Sequence, residues 1–137
     1  MNKLEIDALF YQWLTADAAL TSGLNGHIYN ANRVGGRDTE ECIVVITNTV
    51  EHVSSTEDSG YTNINIHVPD IHVTIDGTQQ TQPDISRLSQ LTALVRTALE
   101  THHTNFSIEK QSEIVFSEPA RAEHYNNLRI EWLCFKN

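Results

Sequence analysis

The chain has 137 residues and a formal net charge of −9, because 18 Asp and Glu outnumber 9 Lys and Arg. This length favours one domain, residues 1–137, with enough apolar material for a hydrophobic core. The acidic balance argues against a protein that grips nucleic acid or adheres to an anionic membrane, since both partners require clustered Lys and Arg.

The first segment predicts an amphipathic helix followed by a short helical turn. Its apolar stripe consists of Ile6, Leu9, Phe10, Trp13 and Leu14. Asn2 is the expected N-cap, with Glu5 three residues later as in a capping box. We expect Thr15 to cap a second turn over residues 16–20, and Gly23 to end it in a left-handed conformation. The acids in this segment are atypical of a signal peptide, so we expect the chain to fold in a cytoplasm.

The next part of the chain predicts a polar loop and a strand, followed by a segment for which two conformations are possible. Residues 30–41 carry Gly35-Gly36 and predict the loop, whereas residues 42–50 are rich in β-branched side chains and predict the strand. Residues 51–60 are polar, acidic and too numerous for a tight hairpin turn. They form either a long flexible loop or a ribbon that extends the flanking strands. As a loop or a ribbon they would reach a neighbouring subunit, and the alternative is a surface loop with no assembly role.

The middle of the chain predicts two further strands. Residues 61–68 alternate between apolar and polar side chains, and Pro69 is expected to end their pairing. A second alternating run, residues 71–75, leads to a turn at Asp76-Gly77. Residues 79–82 are read as a polar segment that leads into a helix.

The strongest helical pattern covers residues 83–100. Pro83 is expected at the first helical position, and Asp84 suits the positive end of the helix. The apolar stripe consists of Ile85, Leu88, Leu91, Val95, Ala98 and Leu99. His102, His103 and Thr104 are expected to close the helix at its negative end.

The C-terminal part predicts extended segments. Phe106 and Ile108 begin one, residues 114–116 form a short strand that stops near Pro119, and residues 128–135 form the last strand. That last strand is partly apolar on both faces, so we expect it to be central in a sheet or packed at an interface.

This order of elements predicts an α+β fold. We expect an antiparallel-rich mixed sheet with two helices packed on one face, in the order α-β-β-(β)-α-β-β. The opposite sheet face should be partly polar and partly used by neighbouring proteins.

No arrangement of residues indicates catalysis or a cofactor. The chain has seven histidines, but none forms an HExxH motif. A metal site between His67 and His72 is the less favoured alternative to two partly exposed histidines. Cys42 and Cys134 are far apart in the sequence, which favours buried, reduced thiols over a disulfide or a zinc site. We therefore predict a protein that is not an enzyme and binds no metal or cofactor.

The candidate interface residues come from the acidic segment and from the strands. Tyr, Trp and Phe side chains on strands serve either core packing or a subunit interface, where aromatic residues are enriched. The possible subunit or partner interface comprises Glu51, His52, Glu57, Asp58, Tyr61, Tyr125, Trp132 and Phe135. Because Asp58 lies in a polar segment, we expect its replacement by Ala to leave folding intact.

Two short motifs resemble a phage protein family. Residues 14–20 read LTADAAL and residues 26–29 read GHIY. Tail-completion proteins, also called tail terminators or head–tail joining proteins, have a Leu-x-Ala-Asp-Ala-x-Leu turn followed by a Gly-Arg-Ile-Tyr strand start. His27 stands where the family tends to have Arg. Residues 63–69, the helix at residues 83–100 and the closing strand occupy the places of the family's later elements.

The resemblance implies a structural virion protein that forms a ring, usually hexameric, at the head-proximal end of a phage tail. Its partners would be further copies of itself and the phage tail-tube and head-connector proteins, while DNA passes through without being specifically bound. It would assemble in the bacterial cytoplasm, with no cofactor and no membrane. The alternatives are another baseplate or connector module, or a small ligand-binding or enzymatic α+β domain with a pocket between helices and sheet.

Overall fold

A computed structural model describes residues 1–35, 39–100 and 105–136. The helices are α1 (Lys3–Thr15), α2 (Ala18–Gly23) and α3 (Ile85–Leu99), and a 3₁₀ turn covers Pro119–Arg121. The strands are β1 (Gly26–Asn30), β2 (Glu41–His52), β3 (Glu57–Pro69), β4 (Ile71–Ile75), β5 (Thr78–Gln82), β6 (Phe106–Glu118) and β7 (Glu123–Phe135).

Five strands form one mixed sheet in the order β1-β2-β3-β7-β6. β1 pairs with β2 in parallel, and every other pairing in this sheet is antiparallel. The last strand, β7, lies between β3 and β6, which confirms its predicted internal place. The α+β fold with an antiparallel-rich sheet is therefore confirmed, with α2 as a short third helix. None of the helices within the described ranges is long and apolar enough to cross a membrane.

The hydrophobic core lies between the helices and one face of the sheet. From α1 it contains Ile6, Phe10 and Leu14, which recur every four residues and so share one helix face. The predicted stripe of α3 is buried in the same core from Leu88 to Leu99, whereas Ile85 is exposed, contrary to prediction. The sheet contributes Ile43, Val45, Ile64, Ile66, Val68, Leu128, Ile130 and Trp132.

The helix ends differ from prediction in three places. Asp17, and not Thr15, caps α2, because its carboxylate accepts the backbone N–H of Leu20 at 2.9 Å. Asp84 is the N-cap of α3, so Pro83 precedes the helix. Gly23 is the last residue of α2 and does not have a positive φ. A Cβ there would lie 2.9 Å from Cδ1 of Leu94, so glycine permits close packing of α2 against α3.

The acidic segment at residues 51–60 is a ribbon, the second of its two predicted forms. β2 continues to His52 and β3 begins at Glu57, with Glu51 opposite Ser59. The connection between them is tied down by the N–H of Val53, which donates to the Glu57 carbonyl at 3.0 Å. The segment is therefore part of the main sheet over most of its length.

A polar row crosses the sheet beneath α1. The Asp7 carboxylate accepts the N–H of Thr47 at 2.5 Å, where a bulge shifts the register of β2. The hydroxyls of Thr47 and Thr62 lie 2.9 Å apart, and Trp132 Nε1 donates to Thr62 Oγ1 at 3.0 Å. These bonds satisfy buried polar groups and fix the register of three strands beneath the helix.

Two further elements correct the sequence reading. Residues 79–82 belong to a strand, β5, which pairs with β4 in a separate two-stranded sheet. The predicted turn joins them, with positive φ at Asp76 (51°) and Gly77 (78°). The two predicted extended pieces of β6 are one strand of 13 residues with a bulge between Ile108 and Lys110. The predicted helix end at residues 102–104 lies outside the described residues.

Candidate functional site

The sheet face opposite the core forms an open cleft of about 520 Å³. Every described residue that lines it belongs to one of four adjacent strands, β2, β3, β7 or β6. In its centre, Nδ2 of Asn127 donates to Oδ1 of Asn63 at 3.1 Å and to Oδ1 of Asn65 at 2.6 Å. The cleft floor is thus a fixed polar surface, as expected for the partly polar second face of the sheet.

Aromatic rings border this polar floor on two sides. The guanidinium of Arg129 lies over the Tyr61 ring, 3.9 Å from its centroid. At the other end, the Tyr125 ring stacks on His67 at 4.7 Å and on Phe116 at 5.2 Å. Arg129 is the single charged residue among the described residues that line the cleft. Tyr and Arg are enriched in protein interfaces, so this composition suits contact with another protein.

A buried ion cluster lies beyond Tyr125 on the same face of β7. The Glu123 carboxylate accepts two hydrogen bonds from Arg33, at 2.6 and 3.1 Å, and one from His67 Nδ1 at 3.0 Å. Glu123 has no exposed surface, and the Arg33 side chain is 7% exposed. Burial by itself would raise the pKa of Glu123, but the bonds from His67 and Arg33 outweigh it and lower that pKa. The cluster fastens the segment before β2 to the sheet.

The hairpin of β4 and β5, residues 71–82, extends from the main sheet, and we call it the arm. Of these residues Val73 is partly buried, and all the others are exposed. Ile71, Val73 and Ile75 alternate along β4 and therefore share one face of the arm. At the base, the N–H of Asp70 donates to the carbonyl of Ala122 at 2.9 Å, and its carboxylate bonds His124 Nδ1 at 2.7 Å. The base is fixed while the apolar face meets solvent.

The edge strand β6 also carries exposed apolar side chains. Ile114 and Phe116 point to the open sheet face, and Val115 points to the helix side. Val115 and the exposed Ile85 line a groove between β6 and α3, where Arg96 and Glu113 form an ion pair. Long edge strands with apolar side chains favour pairing with other chains.

The eight predicted interface residues lie in different surroundings. Glu51, His52 and Phe135 are exposed, and Glu57 is half-buried. Tyr61 and Tyr125 are half-buried on the open face and line the cleft. Trp132 is 1% exposed and belongs to the core, so the core-packing alternative holds for this side chain.

Asp58 differs most from its predicted surroundings. Its side chain has no exposed surface and accepts bonds from His52 Nδ1 at 2.5 Å, Lys136 Nζ at 3.0 Å and the Met1 ammonium at 3.2 Å. Burial would raise the pKa of Asp58, but these partners together hold it well below its ordinary value. Asp58 is therefore a buried ion-pair residue of β3, and its predicted place in a polar loop, from which the tolerance of Asp58→Ala was expected, is wrong.

The two histidines considered as metal ligands lie in different surroundings, and the two cysteines are buried. His67 bonds Glu123, whereas His72 is exposed on the arm. Among the described residues there is no group of three or more His, Cys, Asp or Glu placed to hold a metal ion. Cys42 and Cys134 are buried and free, as predicted. Burial raises the pKa of the Cys42 thiol to about 11, so this thiol stays protonated at neutral pH.

Sequence reasoning missed the residues at the centre of the cleft. Asn63, Asn65 and Asn127 read as polar positions of alternating strands, and their meeting depends on the pairing of β3 with β7. Arg33 and Glu123 are 90 residues apart, so no local pattern joins them. The exposed face of the arm could be found from one local sequence pattern, the alternation of Ile71, Val73 and Ile75 before the turn. No protein-family model matches the sequence, and a search of curated proteins finds no significant relative.

Proposed function

We propose that the chain is a structural phage protein of the tail-completion kind, a tail terminator or head–tail joining protein. It acts by assembly, as a ring of copies at the head-proximal end of the tail, between tail-tube and head-connector proteins. It assembles in the bacterial cytoplasm and becomes part of the virion. The LTADAAL and GHIY motifs support the family, and the exposed surfaces support an assembly role.

The exposed apolar face of the arm is the observation that best supports the assembly role. A two-stranded hairpin is marginally stable by itself in water, and three or more strands or a packed helix are needed for independent stability. The arm nevertheless exposes Ile71 and Ile75, each at 42%. A neighbouring protein that covers this face would both stabilise the hairpin and remove its apolar surface from water.

The charge of the chain fits a ring that conducts DNA. At a formal net charge of −9, the protein as a whole repels the phosphate backbone. We therefore expect no tight binding of duplex DNA at about 100 mM salt, where nonspecific binding depends on phosphate neutralisation. DNA would pass such a ring without being held.

Deletion of the gene from a phage or prophage genome tests this function. We expect filled heads and tails to accumulate separately, or tails of irregular length, with infectivity restored by the gene supplied from a plasmid. A plasmid copy that encodes Leu91→Asp, a core disruption, is the matched control and should not restore infectivity. Normal infectious particles in the absence of the gene would refute the proposal.

A further inference from the structure

The arm and the cleft are two surfaces of one chain with complementary properties. The arm carries a single carboxylate, Asp76, at its tip and no Lys or Arg. The cleft carries a single charged side chain, Arg129, among the described residues that line it. In a chain of net charge −9, an arm whose single carboxylate is negative and a cleft whose single charged side chain is positive are complementary in sign.

The dimensions of the two surfaces also agree. Each arm strand has five residues, which gives a length of about 17 Å at about 3.4 Å per residue. The cleft spans four strands, which gives a width of about 14 Å at about 4.8 Å per strand spacing. A hairpin laid across the four strands would therefore cover the whole width of the cleft, with its apolar face over the aromatic and amide floor.

We propose that the arm of one copy docks in the open-face cleft of the next copy. Ile71 and Ile75 cover the cleft floor near Ile114, and Asp76 pairs with Arg129. This inference rests on the proposed function and names the contact that builds the ring.

The symmetry of this contact determines what it assembles. Arm and cleft are different patches, so copies can join head to tail, each offering its arm to one neighbour and its cleft to the other. A heterologous contact closes into a ring when its rotation fits, whereas an isologous contact stops at a dimer. Head-to-tail docking of arm in cleft therefore gives a ring when the rotation closes and a filament when it does not, while pairing of two β6 edges around a twofold axis would produce dimers.

Two variants with one defective surface each provide the test. The arm variant carries Ile71→Ser and Ile75→Ser, and the cleft variant carries Ile114→Glu and Arg129→Glu. All four side chains are at the surface, so circular dichroism should show both variants folded. Leu4→Ser, which changes a side chain 72% exposed on α1, is the matched control.

Native mass spectrometry and sedimentation velocity measure assembly across a range of concentrations at about 0.15 M salt, where the screening length is about 8 Å. We expect the wild-type and Leu4→Ser chains to form rings, and each defective variant to stay monomeric. Mixed in equal amounts, the two variants should form a heterodimer and nothing larger, because one intact arm meets one intact cleft.

Three outcomes would overturn the inference: a wild-type chain that stays monomeric throughout, an arm variant that forms rings as the wild type does, or a mixture that yields no heterodimer. If the wild type forms rings through another contact, the arm-in-cleft inference fails while the proposed function stands. The proposed function itself is decided by particle formation in the gene-deletion assay.

Discussion

The replacement Glu123→Gln should remove a large part of the stability of the domain. It keeps the shape of the side chain but removes the negative charge that the buried Arg33 guanidinium contacts at 2.6 Å. Breaking a buried ion pair from one side costs about 3–5 kcal/mol, against a typical domain stability of about 5–15 kcal/mol. We expect a fall in melting temperature of about 10–20 °C for a domain of this size.

Urea denaturation followed by tryptophan fluorescence measures this loss. The exposed Glu51→Gln is the matched control and should stay within about 0.5 kcal/mol of the wild type. A second change, Arg33→Met, should recover much of the loss in the Glu123→Gln background, because it also removes the buried positive charge that faced Glu123. The pKa of Glu123 is about 4.3 in the unfolded chain and is lower in the folded protein. The stabilisation by Glu123 is therefore fully present above about pH 4.3, and it is lost as the pH falls through the lowered pKa of the folded state. If the unfolding free energy of Glu123→Gln lies within about 1 kcal/mol of the wild-type value at about pH 7, the buried ion pair does not stabilise the fold as described.

Three further predictions concern stability. Asp58→Asn should cost about 1–3 kcal/mol in urea denaturation, since the side chain loses the carboxylate that bonds the Met1 ammonium, Lys136 and His52, and an unchanged midpoint would contradict this. Gly60→Ala should lower the melting temperature, because a Cβ there would lie 2.1 Å from the Thr49 carbonyl oxygen. Gly35→Ala is the matched control and should leave the melting temperature unchanged, because nothing lies within 4 Å of the added Cβ. Leu91→Asp places a charge at a fully buried site and should prevent folding, and a soluble, cooperatively melting variant would disprove the proposed packing of α3.

The parts of the fold that depend on local periodicity could be predicted from the sequence. The stripe of α1 and the alternation of Ile64, Ile66 and Val68 identified the core side of their elements, since burial repeats with the period of the backbone. The turn at Asp76-Gly77 was predictable because both residues tolerate positive φ.

The rest depends on contacts between residues distant in sequence. Asp58 lies in a polar stretch, and its burial follows from partners at both ends of the chain, Met1 and Lys136. Strand β5 contains Thr and Gln alone, so it has no apolar alternation, and pairing with β4 defines it. The cleft residues likewise meet through strand register and not through any motif.

Replacement of the arm, residues 71–82, by a short Gly-Ser linker in the phage genome tests the central claim most directly. Asp70, at the base of the arm, bonds His124 of the main sheet and is not removed, so the remaining chain should fold. The measurement is the yield of joined, infectious particles, with electron microscopy of the unjoined products. We expect folded protein to accumulate while heads and tails stay separate or tails grow to irregular length. Normal yields of joined particles would contradict an assembly role for the arm.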